Sequence, residues 1–98
     1  MAKELEGEWK GDYEMLGYAR HVSIKFANHP DGATADFIVV GRKHNVFPVD
    51  LVTQEGDLVT VDSHEMAFGF EGRLRDGKLT GAIRQGAMET PLVLVRAR

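Results

Sequence analysis

The side chains best suited to metal or proton chemistry in this chain are four histidines, His21, His29, His44 and His64. A zinc site needs three or four converging ligands, often with one closely spaced pair. No two of these histidines lie within five residues of each other, and no cysteine joins them. Carboxylate pairs for acid–base work must share a cleft in unlike environments. Glu8, Asp12 and Glu14 instead alternate along one polar face. Asp50 is the one acid in an apolar setting, and its expected role is to accept backbone N–H groups freed by a local strand irregularity. Ser23 and Ser63 are the only serines, and neither sits in a Gly-x-Ser-x-Gly elbow. Gly7, Gly11, Gly69 and Gly72 are followed by no helix, so they build no phosphate loop. The residues therefore predict no enzyme, no cofactor and no metal site.

The elements that carry these residues repeat with a period of two. Trp9, Gly11, Tyr13 and Met15 share one parity against Glu8, Lys10, Asp12 and Glu14. Val22, Ile24 and Phe26 alternate with His21, Ser23 and Lys25, and Met66, Phe68, Phe70, Gly72 and Leu74 with Ala67, Gly69, Glu71 and Arg73. Alternation of this kind is a half-buried strand. Turn residues separate the runs: Leu16-Gly17, Asn28-His29-Pro30-Asp31-Gly32, Glu55-Gly56-Asp57 and Asp76-Gly77, the last suited to a two-residue type I′ hairpin. Gly41–Asn45 reads as a polar connection. The expected strands are 8–15, 19–27, 33–40, 46–54, 58–63, 66–75, 78–85 and 89–96, with a β-bulge near Asp50-Leu51 where the apolar parity slips.

Short connections make sequential strands pair antiparallel. The predicted fold is all-β: one domain over residues 1–98, an antiparallel meander of about eight strands forming a small closed or nearly closed, lipocalin-like barrel. Inward Gly11, Gly72 and Gly81 favour strong curvature.

Composition narrows the partners. Across 98 residues, 43% are hydrophobic and the formal net charge is −3, without a basic stripe, which argues against nucleic acid. The closest basic cluster is Arg42, Lys43 and His44. No run approaches a membrane span and the N-terminus has no apolar signal region. With no cysteine, the expected location is the cytoplasm.

Three stretches carry a family likeness: Leu5-Glu-Gly-Glu-Trp9-Lys-Gly11, Phe47-Pro-Val-Asp50-Leu-Val, and Phe70 through Gly86 with its glycines at 72, 77 and 81. With Thr90-Pro-Leu-Val-Leu they resemble the small β-domain that precedes the catalytic domain in some bacterial α/β-hydrolase-type proteins. The Gly-x-Trp near the start is similar to that of calycin barrels such as lipocalins, where the tryptophan packs across one barrel end. In the hydrolase-type proteins the triad belongs to the following domain, so the resemblance implies a fold without an activity. This chain departs from it at Phe37-Ile-Val-Val40 and Leu92-Val-Leu-Val95, where the resembling domains alternate apolar with polar or small residues.

Two functions from different classes fit. The first is a non-enzymatic binding or protein-interaction barrel that self-associates, a homodimer, through outward Ile38, Val40, Val93 and Val95. The alternative is a small carrier of calycin type, holding an apolar small molecule against Trp9, Tyr13, Phe68 and Phe70 with Gln85 as polar anchor. The plainer expectation for the aromatic set is the filled core of a small barrel. For Gln85 it is a hydrogen bond to backbone at the rim.

Overall fold

The computed structural model describes residues 2–97. A 3-10 turn, Lys3–Leu5, leads into nine strands: β1 Gly7–Met15, β2 Tyr18–His29, β3 Gly32–Val40, β4 His44–Phe47, β5 Leu51–Glu55, β6 Leu58–Ser63, β7 Phe68–Arg75, β8 Lys78–Gln85 and β9 Met88–Arg96. All pair antiparallel in one sheet of order β4-β3-β2-β1-β9-β8-β7-β6-β5. The chain thus starts in the middle of the sheet, meanders out to β4, crosses to the opposite edge at β5 and meanders back to pair β9 with β1.

The sheet is an open, strongly curled half-barrel, and here the sequence expectation is corrected twice. The run 46–54 is not one bulged strand but two: β4 pairs β3, with Phe37 opposite Phe47, and β5 pairs β6, with Val52 opposite Val61. Pro48-Val49-Asp50 between them belongs to neither. Proline has no N–H to give a ladder, so the segment breaks where the chain leaves one edge for the other. There are therefore nine strands, and no ladder joins β4 to β5. Two smaller differences follow. His44 and Asn45 extend β4 instead of a loop, and Met66 lies in the β6–β7 turn instead of on the inward face.

Aromatic side chains bridge the seam that hydrogen bonds leave open. Phe47 stacks on Phe68 of β7 at 4.3 Å between ring centres, and Phe37 meets both edge-on at 5.9 and 5.4 Å. Asp50 ties the crossing to β6: its N–H donates to the Asp62 carbonyl at 3.0 Å. Its carboxylate accepts the backbone N–H of His64, also at 3.0 Å.

Curvature rests on close backbone approach. Gly72 and Gly81 stand opposite each other in β7 and β8. A methyl group on Gly81 would overlap the Glu71 carbonyl and lie 2.5 Å from the Gly72 Cα. One on Gly11 would overlap the Val93 carbonyl of β9. Only glycine lets strands fold over one another this tightly.

The concave face is packed with Trp9, Val22, Ile24, Phe26, Phe37, Val59, Val61, Phe70, Leu79, Ile83, Leu92 and Leu94, all essentially buried. The alternation read in the sequence placed Trp9, Val22, Ile24, Phe26, Phe37, Phe70, Leu92 and Leu94 on this face, because burial of one sheet face fixes register.

Candidate functional site

Strand direction divides the molecule into two ends. One end carries the turns after β2, β5 and β7, all polar: His29 to Gly32, Glu55 to Leu58, and Arg75 to Lys78. The 3-10 turn closes this end. Leu5 is fully buried, and its carbonyl accepts the Trp9 indole N–H at 2.9 Å. The Arg96 guanidinium lies 4.6 Å from the Trp9 ring centre and donates to the carbonyls of Glu6, at 2.6 Å, and Glu4. The Ala2 N–H reaches Gln54 Oε1 at 2.7 Å. Trp9 therefore lies across a plugged end, with its one polar atom satisfied.

The far end has no such plug among the described residues. It carries the turns after β1, β3, β6 and β8. Three of these tips present exposed apolar side chains: Leu16, Met66 and Met88. Leu16 is 67% exposed and has a left-handed backbone, with φ of 56°. That region is costly for any residue with a Cβ. Beneath the tips, three side-chain atoms are buried without a hydrogen-bond partner among the described residues: the Tyr13 hydroxyl, Arg20 Nη1 and Ser63 Oγ. Tyr13 and Arg20 face each other across β1 and β2, and Ser63 faces Phe68 across β6 and β7. Unpaired buried polar atoms are rare in folded proteins, and each needs a physical explanation.

Arg20 is the most unusual of the three, at 6% exposed and with no carboxylate partner among the described residues. Its guanidinium carbon sits 4.2 Å from the Tyr18 ring centre and 5.8 Å from that of Tyr13. Arg42 adds a second guanidinium 4.5 Å from the same Tyr18 ring. Burial raises the Tyr13 hydroxyl pKa, and nearby Arg20 opposes that rise. The Tyr18 hydroxyl pKa is lowered, first by hydrogen bonding to Arg20 and also by the charges of Arg20 and Arg42. A cavity of about 180 Å³ opens here, lined by Tyr18, Gly41, Arg42, Lys43 and Asn45.

The same end brings Ser63, His64 and Asp50 close in space, but not as a triad. His64 Nδ1 meets Asp50 Oδ2 at 2.7 Å while Asp50 Oδ1 takes the His64 backbone N–H. Ser63 is buried on the concave face and His64 is exposed on the other side. Strand alternation separates the nucleophile from the base. The Asp50 pKa is lowered by the His64 backbone N–H and then by its imidazole. Asp50 thus accepts a backbone N–H, as expected of it, though from the β6–β7 turn. Asp12 and His21 form a second pair at 2.6 Å on the convex surface, with both side chains largely exposed.

The sequence-derived candidates fall as follows. Trp9 belongs to the plugged end and Phe70 to the middle of the core. Tyr13, Phe68 and Gln85 lie toward the far end, Phe68 opposite Gln85 in the β7–β8 ladder. Ile38 is half-buried, while Val40, Val93 and Val95 are exposed on the convex face. Val95 and Ile38 occupy one cross-strand row, separated by Lys10 and Ser23. A second cavity of about 320 Å³ lies along this face, bordered by Lys10, Asp12, His21, Ile38 and Val40. His29 and His44 lie at opposite ends of β3, as expected. No group of metal-binding side chains forms among the described residues.

The sequence reading missed Arg20 and Tyr18. The signal was available: both share the parity of Val22, Ile24 and Phe26, and Arg20 continues their inward row. No protein-family model, curated protein or solved structure matches this chain.

Proposed function

We propose that this chain is a non-catalytic binding barrel that meets its ligand at the far end, the end without the 3-10 plug. The observation that carries the reading is that the three buried polar atoms without a partner among the described residues all lie at this end, under turn tips that expose Leu16, Met66 and Met88. Polar groups left unpaired in the free protein gain most from a ligand that pairs them. The apolar tips offer area around that polar centre. The Asp50–His64 pair supports a non-catalytic role, since both carboxylate oxygens are engaged in holding a turn. Curled meander, N-terminal turn and Trp9 across one end together favour a calycin-type barrel.

The test is a backbone amide NMR titration of the whole chain with a neutral apolar dye such as Nile red. Saturable shifts at the tips around Leu16, Met66 and Met88 are expected. Saturable shifts confined to the polar turns near Gly32, Gly56 and Gly77 would place binding at the wrong end and remove the proposal.

Self-association is a second reading, favoured by the exposure of Val93 and Val95 together on β9 and of Val40 and Val46 on β3 and β4. Paired exposed apolar residues on a sheet mark interfaces more often than scattered ones do. Light scattering at micromolar concentration should give a dimer mass that Val93→Lys reduces to that of a monomer. A native mass of one chain removes this reading.

A further inference from the structure

The geometry points to an oxyanion site at the corner where the β1–β2 hairpin meets the β3–β4 turn, taking the phosphate or carboxylate group of a small molecule. The inference rests on the far-end reading and specifies the chemistry recognised there. Four observations carry it.

First, positive charge accumulates at this corner without compensation. Arg20 and Arg42 both lie within 4.5 Å of the Tyr18 ring centre, and Lys43 lines the same cavity. Arg73, Arg75 and Arg84 each donate to a carboxylate, and Arg96 to backbone carbonyls. Among the described residues no carboxylate pairs with Arg20, Arg42 or Lys43. Two like charges against one phenol ring repel, and the ring's attraction for each cation is a modest offset.

Second, Arg20 is buried with Nη1 unpartnered, which is costly for a charged group unless a counter-charge is present for part of its working life. Its guanidinium packs on the Tyr18 ring, which lines the cavity, and its aliphatic stem lies beside Gly41. A methyl group built on Gly41 would sit 3.2 Å from Arg20 Cγ and 3.4 Å from Tyr18 Cε2. An anion in the cavity would meet Arg42 and Lys43 at the surface and the field of Arg20 from below.

Third, the site has the size and donors an oxyanion needs. The cavity is about 180 Å³, too small for an extended ligand to be swallowed whole. Its wall offers the Arg42 fork, the Lys43 ammonium and the Asn45 amide, and guanidinium groups suit planar or tetrahedral oxyanions. The Gly41 N–H donates to the Lys43 carbonyl at 3.0 Å, so the turn that carries these side chains is already tightened.

Fourth, the chain as a whole is acidic despite this cluster, with a formal net charge of −3. Its field repels long polyanions, while a compact anion is attracted by the local cluster at short range. A small molecule fits this pattern and a nucleic acid does not. Leu16, in the β1–β2 turn two residues before Tyr18, offers an exposed apolar side chain to a short tail.

The experiment is an amide NMR titration of the full chain with inorganic phosphate, and separately with octanoate, against sodium chloride at equal ionic strength. Phosphate should produce saturable shifts at Tyr18 to Arg20 and Gly41 to Asn45 that chloride does not reproduce. Arg42→Gln, an exposed substitution, should weaken binding roughly tenfold, the scale of one lost charge-assisted hydrogen bond. Octanoate binding tighter than phosphate, with added shifts at Leu16, assigns a carboxylate with an apolar tail; the reverse order assigns a phosphate ester. Arg20→Met adds a readout that a purely structural arginine would not give: the free chain should melt higher, and phosphate should no longer raise the melting temperature. Shifts that chloride reproduces, or that Arg42→Gln leaves unchanged, overturn the site. If that happens while the neutral dye still binds the far-end tips, the anion chemistry falls and the binding end stands. If both titrations fail, the reading beneath it falls as well.

Discussion

The two ends of this half-barrel are built from the same strands yet solve the problem of closing a sheet in opposite ways. At the plugged end, Leu5 fills the mouth and the Trp9 N–H has a carbonyl. Arg96 covers the ring and donates to two more carbonyls. At the far end an arginine again lies against aromatic rings, but it faces Tyr13 and Tyr18 with one nitrogen unpaired. The same pairing of guanidinium with aromatic ring is a finished contact at one end and an unfinished one at the other. Satisfied polar groups are the mark of a structural cap; the unsatisfied ones at the far end are those that the proposed ligand would pair.

The largest effect expected from breaking this contrast is at Trp9. Its side chain is buried at 1% exposure and joins the N-terminal turn to the core. Trp9→Ala should cost about 3–5 kcal/mol, as large aromatic truncations do. In a domain of this size that approaches the whole stability. Chemical denaturation followed by circular dichroism measures it; a cost below about 1 kcal/mol would mean that the plug is not part of the cooperative fold.

Next comes Tyr13, where the sign should reverse. Removing a hydroxyl that is buried and unpaired relieves a desolvation penalty, so Tyr13→Phe should stabilise the free chain by about 1 kcal/mol. A loss of stability in the same denaturation experiment would show that the hydroxyl is satisfied in solution and that the far end is finished after all.

Leu16 gives a smaller gain. Its left-handed backbone costs about 1–2 kcal/mol for a residue with a Cβ, and glycine returns part of that to the flexibility of the unfolded chain. Leu16→Gly should therefore raise stability by about 0.5 kcal/mol while weakening Nile red binding at the same tip. Unchanged dye affinity would separate Leu16 from the binding end.

The smallest effects are electrostatic, and here the two ends should agree. Asp50 at the far end and Asp57 at the plugged end both have pKa values lowered from 3.8. The His64 backbone N–H and imidazole do this for Asp50, and Arg75 and Arg73 for Asp57. A carboxylate with a depressed folded pKa contributes stability above its unfolded pKa and loses it as pH falls through the folded value. Stability should thus decline below about pH 4, and Asp50→Asn and Asp57→Asn should each flatten that decline slightly. Melting temperatures at pH 6, 4 and 3 read the difference. Curves parallel to that of the native chain would assign acid sensitivity elsewhere.

The sequence by itself determined the inward parity of most strands and the positions of several hairpin turns. Ala35, Phe37 and Val39 on β3, and Leu92 and Leu94 on β9, face the core as their alternation requires. Asp76-Gly77 forms its tight turn with both residues at positive φ. These features are local: a period of two and a turn residue's conformational preference act within a few positions of the chain. Glycine at 72 and 81 likewise announced a bend, since only close backbone approach explains two inward positions without side chains. Tertiary structure alone decided the rest. Whether residues 46–54 would be one strand or two depended on β3 and β6 standing far enough apart to divide the segment between them. That separation is a property of the whole curl. The far-end cluster is non-local in the same way. Arg20 and Tyr18 were visible as inward parities, but their meeting with Arg42 required the β3–β4 turn to fold over the β1–β2 hairpin. A chain pattern fixes the side of the sheet on which a residue lies; only the closing of the sheet fixes which residues then share a place.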